Sequence, residues 1–243
     1  MIVIPMAGIS RRFTEAGYTL PKYMLPARGR TVFAHAAGSF ARYNSSVRFL
    51  FIVRDVAGTA DFVRAECRTL GIRHADIVVL DQATRGQAET VALGLQRAGA
   101  ADGEAVTIFN IDTFRPGFTF PDFAGLPTDG YLEVFRGSGA NWSYVRPTAD
   151  DSDLVGETAE KRPISDLCCT GLYHFASAEL FHEAYRMLAH GFAPSPAMRE
   201  LYVAPLYNGL IAHGRVIRYH LIPREAVTFC GVPAEYEAFL RSG

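Results

Sequence analysis

Three cations follow the first apolar segment of the chain. Arg11 and Arg12 come directly after the turn that contains Gly8, and Lys22 stands between Pro21 and a stretch of apolar residues. A strand that ends in a small-residue turn presents backbone N–H groups to an anion, and nearby arginine and lysine side chains add charge around it. An ordinary surface loop explains Gly8 alone equally well. The proline-framed lysine favours the first interpretation, which is a cradle for the phosphates of a triphosphate.

A carboxylate follows an apolar segment in the middle of the chain. Asp112 lies two residues beyond a strand predicted over 105–110. Ligands of open α/β sheets gather at the carboxyl ends of strands, and carboxylate oxygens suit Mg²⁺. The position therefore indicates a residue that meets a metal-bound triphosphate. An aspartate that caps the following turn is the alternative.

Two further segments carry groups that could bind a ligand. Gly86 precedes a predicted helix, and Glu160 and Lys161 lie in a polar turn ahead of the run that contains Thr170 and Gly171. A glycine before a helix and a solvated polar turn explain these segments without any ligand. Their order and spacing along the chain, rather than either segment alone, favour a role in ligand binding.

These segments together resemble the sugar nucleotidyltransferase family, and in particular its small capsule and surface-polysaccharide members. The resemblance covers nearly the whole chain and is carried first by segments 7–13 and 17–22. It implies a glycine-rich loop that binds the phosphates of a nucleoside triphosphate (NTP). The matching residues are Ala7, Gly8, Ile9, Ser10 and Arg11 in the phosphate loop, Arg12 and Lys22 at the transferring phosphoryl group, and Asp112 at Mg²⁺.

The chain departs from the family pattern at two positions. The family loop usually reads Gly-x-Gly-Ser/Thr-Arg, whereas Ser10 stands here at the second glycine position. Only glycine adopts a positive φ freely, so the serine weakens the expectation that the loop backbone approaches the phosphates closely. Phe229 stands where larger sugar pyrophosphorylases have a second metal-binding aspartate. Asp112 is therefore the one carboxylate that matches the metal site.

The resemblance also assigns the segment around Gly86. It implies that this loop lies against the nucleotide base, with Gln82 and Gln87 as candidate hydrogen-bonding partners of a base edge. Neither glutamine is a strict match, so the identity of the base is left open.

The acceptor side is assigned by a Glu-Lys-x-Pro segment. The resemblance implies that Glu160 binds acceptor hydroxyl groups and that Lys161 meets the acceptor phosphate. Thr170 and Gly171 open the Thr-Gly-x-Tyr-x-Phe strand that follows in the family, and we assign them to the acceptor side as well.

The composition predicts a single cytoplasmic enzyme domain over residues 1–243. The chain is 49% hydrophobic with a net charge of −1, which allows a large core and gives no overall attraction for nucleic acid. We expect no membrane association, because no apolar run is long enough to span a bilayer and no signal peptide is recognisable. The four cysteines and seven histidines lack metal-ligand spacing, so reduced, packed cysteines are expected. A homo-oligomer is left open.

Strand-like and helix-like segments alternate along the chain, which predicts an α/β layer fold. The resemblance specifies a Rossmann-like three-layer sandwich with a mixed, mostly parallel sheet, of the nucleotidyltransferase or GT-A type. The stretch 147–157 is predicted to be a turn or hairpin tip. The predicted strands are 2–5, 48–53, 76–79, 105–110, 130–135, 144–146, 169–175 and 216–221, and the predicted helices are 31–41, 60–70, 90–98, 177–190, 198–212 and 234–240.

The predicted reaction is nucleotidyl transfer, in which an acceptor phosphate attacks the α-phosphorus of an NTP and magnesium pyrophosphate leaves. The acceptor would be a sugar 1-phosphate or a similar small phosphorylated metabolite used in surface glycan synthesis. One alternative is a GT-A-type glycosyltransferase that uses a nucleotide sugar. Asn110, in place of the first carboxylate of an Asp-x-Asp motif, and the Pro21-Lys22 pair argue against it. The other alternative, a catalytically inactive nucleotide sensor, is favoured only by Ser10.

Overall fold

Short strands and helices alternate along the chain, as the apolar pattern predicts. The computed structural model describes residues 1–195 and 198–242, so Pro196, Ala197 and Gly243 of the predicted domain 1–243 lie outside the described residues. The strands are β1 (Ile2–Met6), β2 (Pro26–Ala27), β3 (Arg30–Thr31), β4 (Phe49–Val53), β5 (Ala75–Val79), β6 (Val106–Phe109), β7 (Thr113–Phe114), β8 (Gly130–Arg136), β9 (Ser143–Pro147), β10 (Val155–Glu160), β11 (Leu167–Phe175), β12 (Ile217–Leu221) and β13 (Thr228–Phe229). The helices are α1 (Arg11–Glu15), α2 (Val32–Gly38), α3 (Thr59–Leu70), α4 (Gln87–Arg97), α5 (Ala178–Ala189), α6 (Leu206–Ala212) and α7 (Pro233–Arg241).

Two compact units divide these elements. The N-terminal unit contains residues 2–83, 109–120 and 225–242, and the central unit contains residue 1 with 84–108 and 121–224. The single domain over 1–243 stays a prediction.

Parallel strands form the centre of the N-terminal unit. Strand β4 pairs with β1 on one side and with β5 on the other, both in parallel register. Every residue of β1 and β4 is buried, as expected for continuous apolar strands covered on both faces. Aromatic rings fill the core beside them, with Phe33 against Phe51 and Phe40 against Phe109 at centroid distances of 5.2 and 4.9 Å. This packing fixes the end of β1, where the predicted phosphate loop begins.

The strands of the central unit pair in both antiparallel and parallel directions. Strand β11 pairs antiparallel with β8 and β9, β9 pairs antiparallel with β10, and β12 lies parallel to β8. The β9–β10 hairpin confirms the predicted hairpin tip within 147–157. Its register places Ser143 opposite Glu160, which brings a hydroxyl group beside one of the predicted acceptor-binding residues.

The α/β class with a mixed sheet is confirmed, and all eight predicted strands are present within a few residues of their predicted bounds. The helix predicted over 198–212 is wrong in its first half, because α6 begins only at Leu206. Pro205 lacks the N–H that a helix interior needs, and the backbone of Leu201 is hydrogen-bonded to the turn before α4. Helix α1 was not predicted, since five residues are too few to create a periodic pattern.

Candidate functional site

The structure brings the predicted lysine and aspartate into direct contact within the N-terminal unit. Lys22 opens a short 3₁₀ turn after Pro21, and Asp112 lies in the turn between β6 and β7. Lys22 Nζ donates to Asp112 Oδ2 at 2.5 Å, although the two residues are 90 positions apart. Each side chain is 20% exposed, so the pair is sheltered and still reachable from solvent. Opposite charges at this distance hold each other in place and can exchange this contact for a charged ligand.

Ser10 adopts the backbone conformation that glycine would supply in the phosphate loop. Its φ of 52° and ψ of 36° lie in the left-handed region, which is costly for residues with a Cβ. The hydroxyl group adds a contact that glycine lacks, because Ser10 Oγ accepts a hydrogen bond from the Lys22 backbone N–H at 3.3 Å. The loop therefore turns as a glycine loop would, and it is tied to the segment that carries the lysine.

The two arginines of the loop differ in their surroundings. Arg11 Nε donates to Glu15 Oε1 at 2.7 Å, and this carboxylate raises the pKa of the guanidinium. Arg12 is exposed, and across residues 1–195 and 198–242 its guanidinium has no hydrogen-bond or ion-pair partner. Arg12 is therefore the cation of this loop that is available to an anionic ligand. Ala7, Gly8 and Ile9 connect it to β1, and Ile9 is 64% exposed.

A turn after β13 borders Asp112 and brings in Glu235, a carboxylate that no motif in the sequence indicates. The Cys230 N–H donates to the Asp112 backbone oxygen at 2.7 Å. Gly231 is so close that a Cβ there would lie 3.2 Å from Asp112 Oδ2 and 3.5 Å from Glu235 Oε2. Glu235 Oε2 accepts hydrogen bonds from the Gly231 and Val232 N–H groups at 2.8 and 3.3 Å. Two carboxylates thus flank this glycine, and the second is Glu235, whereas the resemblance to larger sugar pyrophosphorylases places an aspartate where Phe229 stands.

The neighbouring thiol is not a reactive group. Burial, followed by the charges of Glu235 and Asp112, raises the pKa of Cys230 to about 12. A thiol with this pKa stays protonated near neutral pH, which makes it a poor nucleophile and a poor metal ligand. All four cysteines are free and buried. In the described part of the chain, no group of three or more histidine, cysteine or acidic residues could hold a metal ion.

Within the central unit, Glu160 is held in a largely buried position at the end of β10. Its side chain is 9% exposed and accepts a hydrogen bond from the Ser143 hydroxyl group. Burial raises the pKa of Glu160, while the Ser143 hydrogen bond and the Lys161 charge act in the opposite direction. Glu160 also lines a cavity of about 350 Å³, whose other lining residues include Arg162, Met187 and Asn208. This volume is within the range of small-molecule sites.

Lys161 is held by three contacts beyond its ion pair with Glu160. The backbone N–H donates to the Trp142 oxygen at 2.9 Å, and Nζ donates to the Tyr202 hydroxyl group at 2.7 Å. The same Nζ lies 4.5 Å from the centroid of the Tyr202 ring, which adds a cation–π contact. The residue has a φ of 53°, a left-handed value that is uncommon for lysine. Tyr202 was not singled out in the sequence, where aromatic residues of the run 201–208 predict core packing.

Gly86 is required by the turn before α4. Its φ is 147°, and a Cβ there would lie 2.5 Å from the backbone nitrogen and 2.6 Å from the backbone oxygen of Leu201. Leu201 donates to the Arg85 oxygen and accepts from the Ala88 N–H, each at 2.8 Å. The close approach of two backbone segments therefore explains the glycine without a ligand. Gln87 begins α4 in the same unit, and Gln82 is exposed in the N-terminal unit.

Thr170 and Gly171 lie inside the sheet. The Thr170 hydroxyl group donates to the buried Glu133 carboxylate at 3.2 Å. Gly171 has a φ of 96° within an irregular stretch of the β11–β8 pairing. Neither residue is exposed, and their assignment to the acceptor side stays a prediction.

Comparison with known proteins gives a clear structural match. No family model and no curated protein sequence matches the chain. The crystal structure of a nucleoside-diphosphate-sugar pyrophosphorylase from Vibrio cholerae RC9 is 56% identical in sequence, covers 100% of both chains and has a TM-score of 0.93. An inositol-1-phosphate CTP transferase from T. maritima has a TM-score of 0.73 at 15% identity, over 100% of this chain and 96% of its own. A UDP-glucose pyrophosphorylase complexed with UDP-glucose has a TM-score of 0.73 at 12% identity, over 99% and 97%. The last two similarities concern the fold alone.

Among the helices of the described residues, none combines the length and the apolar character that a bilayer crossing needs.

Proposed function

Because the chain belongs to the sugar nucleotidyltransferase family, we propose that it couples an NTP to a sugar 1-phosphate, or to a similar small phosphorylated metabolite, and releases pyrophosphate. The observation that carries this proposal is the contact between Lys22 and Asp112 beside a loop whose Arg12 is unpaired among the described residues. These groups supply positive charge and a metal-binding oxygen. Both stabilise the negative charge of the phosphates during phosphoryl transfer.

The reaction is a single in-line displacement. An oxygen of the acceptor phosphate forms a bond to the α-phosphorus of the NTP, and the bond from that phosphorus to the bridging oxygen breaks. The bonding electrons leave with pyrophosphate. Lys22 and Arg12 neutralise the charge that builds up around the α-phosphorus, and the loop that includes Ser10 holds the phosphates in place. No protein nucleophile is needed.

Asp112 is the residue that we propose to hold Mg²⁺. Its carboxylate supplies the hard oxygen that this ion prefers, and it is partly exposed at the end of a strand. When bound, Mg²⁺ would neutralise the leaving pyrophosphate. Because Asp112 is already paired with Lys22, and Glu235 is engaged by two N–H groups, we expect weak Mg²⁺ binding to the free protein and firm binding only with NTP.

Titration calorimetry tests this metal site. Mg²⁺ should bind weakly without nucleotide, bind firmly with NTP, and lose that cooperation in Asp112→Asn. Glu235→Gln keeps an oxygen for the Gly231 N–H and should retain the cooperation. Tight Mg²⁺ binding without nucleotide would contradict the one-carboxylate site.

On the acceptor side, we propose that Glu160 binds hydroxyl groups and Lys161 binds the phosphate. The cavity beside Glu160 is large enough for a small ligand, and the Lys161 side chain is 44% exposed. We place the activity in precursor synthesis for surface polysaccharides and in the cytoplasm, where NTP is made and where buried thiols stay reduced.

A pyrophosphate-release assay tests the proposed function. The protein is incubated with each NTP, a panel of sugar phosphates and other small phosphates, and Mg²⁺. The expected result is pyrophosphate release that requires one NTP and one acceptor together. A glycosyltransferase would instead consume a nucleotide sugar and release a nucleotide, and a sensor would bind NTP without turnover.

A further inference from the structure

The environment of Lys161 points to a residue that has no assigned role. We propose that Tyr202 is a positioning residue that holds the Lys161 ammonium group where it meets the acceptor phosphate. This inference rests on the proposed function of Lys161 on the acceptor side. Tyr202 reaches the lysine in two ways, through a hydroxyl oxygen 2.7 Å from Nζ and through a ring whose centroid is 4.5 Å away.

The contacts of the ammonium group leave it a donor for a ligand. A lysine has three N–H donors and no acceptor. One donor of Lys161 is used by Tyr202, and the charge of Glu160 attracts the group from a second side, with Nζ 3.7 Å from Oε1. The side chain is nevertheless 44% exposed, so a ligand can reach it from solvent. A phosphate oxygen can therefore bind without displacing either neighbour.

Tyr202 is itself fixed by the backbone beside it. Leu201, the residue before it, is hydrogen-bonded on both sides to the turn that carries Gly86. Lys161 in turn is held at its backbone by Trp142 and at its side chain by Tyr202. The flexible four-carbon stem of a lysine is thereby restrained at both ends, which is the condition for a pre-organised charge.

A double-mutant cycle separates positioning from a structural effect. Tyr202→Phe removes the hydroxyl group and keeps the ring, and Tyr202→Leu removes both. We expect Tyr202→Phe to raise the KM for the acceptor phosphate about fivefold and Tyr202→Leu to raise it further, with the KM for NTP unchanged. In a Lys161→Ala background, Tyr202→Phe should add nothing. Equal effects of Tyr202→Phe in both backgrounds would overturn the proposal.

Tyr219→Phe is the matched control for the cycle. It removes a phenolic hydroxyl group from the same unit, and within the described chain that hydroxyl group has no hydrogen-bond partner. Its KM values should stay within twofold of the parent protein.

Amine labelling gives a second readout that needs no turnover. The chain contains only two lysines, Lys22 and Lys161, so acylation followed by mass spectrometry reports each ammonium group separately. In Tyr202→Phe, Lys161 should be acylated about threefold faster than in the parent protein, and Lys22 should be acylated at the same rate. Inorganic phosphate should protect Lys161 in the parent protein and protect it less in Tyr202→Phe.

The labelling result distinguishes the two proposals. An unchanged Lys161 rate and equal protection in Tyr202→Phe would overturn the positioning role even if nucleotidyl transfer is found. Faster labelling and weaker protection would support the role of Tyr202 even if no NTP and acceptor pair reacts, in which case the proposed function alone fails.

Discussion

At the scale of single residues, Lys22 and Asp112 show how a fold joins charges that are far apart in sequence. Each comes from a different connection, one after Pro21 and one after β6, and their contact forms within the N-terminal unit. The types of both residues were predictable, and so was the position of Asp112 after a strand, because strand ends collect ligands in α/β folds. The distance between them was not, since no local pattern links positions 90 residues apart.

Replacing the cations of this site should affect chemistry far more than folding. We expect Lys22→Ala and Arg12→Ala each to lower kcat about 100- to 1000-fold, the usual cost of losing one charge-stabilising contact. The Lys22–Asp112 pair is partly exposed, so its loss should cost at most about 1 kcal/mol of stability. Steady-state kinetics and thermal melts measure both effects. Arg64→Ala, which removes an exposed ion pair with Asp61, is the control and should stay within twofold in kcat.

Gly8 offers a test for direct approach of the phosphates to the loop. A Cβ at Gly8 would meet no protein atom within 4 Å, and its φ is not in the left-handed region. Gly8→Ala should therefore leave the melting temperature unchanged. If the triphosphate lies against this backbone, the added methyl group should raise the KM for NTP. A normal KM for NTP together with normal stability would remove Gly8 from the site.

At the scale of elements, the long strands were predictable and the short contacts were not. Strands such as β1 and β4 are continuous apolar runs, which identify buried strands. The two-residue strands β7 and β13 carry no periodic signal, yet their pairing brings the turn with Gly231 against Asp112. Glu235 could have been noticed as an acidic residue in the first turn of a helix that begins with proline. Its approach to Asp112 depends on that short pairing.

The turn before α4 should be sensitive to a single methyl group. Gly86→Ala would place a Cβ 2.5 Å from the backbone nitrogen of Leu201 at a φ of 147°, which an alanine does not adopt readily. Crowding and backbone strain of this kind cost about 2–4 kcal/mol together. The melting temperature should fall by about 5–15 °C in a chain of this size. Gly8→Ala is the stability control, and an unchanged melting temperature for Gly86→Ala would show that the turn relaxes without cost.

At the scale of the whole molecule, a buried histidine makes stability depend on pH. His174 Nδ1 lies 2.8 Å from the Thr107 hydroxyl oxygen, and its ring stacks on Tyr131 at a centroid distance of 4.8 Å. Burial, followed by the charge of the N-terminal amine, lowers the pKa of His174 from 6.5 to about 4. Between these values the unfolded chain binds a proton at His174 that the folded chain does not bind. The contribution of His174 to the free energy of unfolding therefore falls as the pH is lowered from 6.5 to 4.

Urea unfolding at pH 7 and pH 4 measures this contribution. A pKa difference of this size corresponds to about 3 kcal/mol. His174→Gln cannot titrate, so its stability should fall less over the same interval, by a difference of up to about 3 kcal/mol. Carboxyl groups that titrate in both proteins cancel in the comparison. Identical pH dependence of the two proteins would mean that His174 is protonated in the folded state as easily as in the unfolded one.

Because the four thiols are buried, their rates of alkylation should also report local unfolding of the chain. Cys67 and Cys230 belong to the N-terminal unit, and Cys168 and Cys169 belong to the central unit. Burial, the largest cause in each case, raises the pKa of Cys67 and of Cys230 to about 12. An alkylating reagent attacks the thiolate, so the folded chain should react only while a thiol is transiently uncovered. The rates at the two pairs, mapped by peptide mass under native conditions, then give a separate free energy of opening for each unit. Equal rates would mean that both units unfold in one cooperative event.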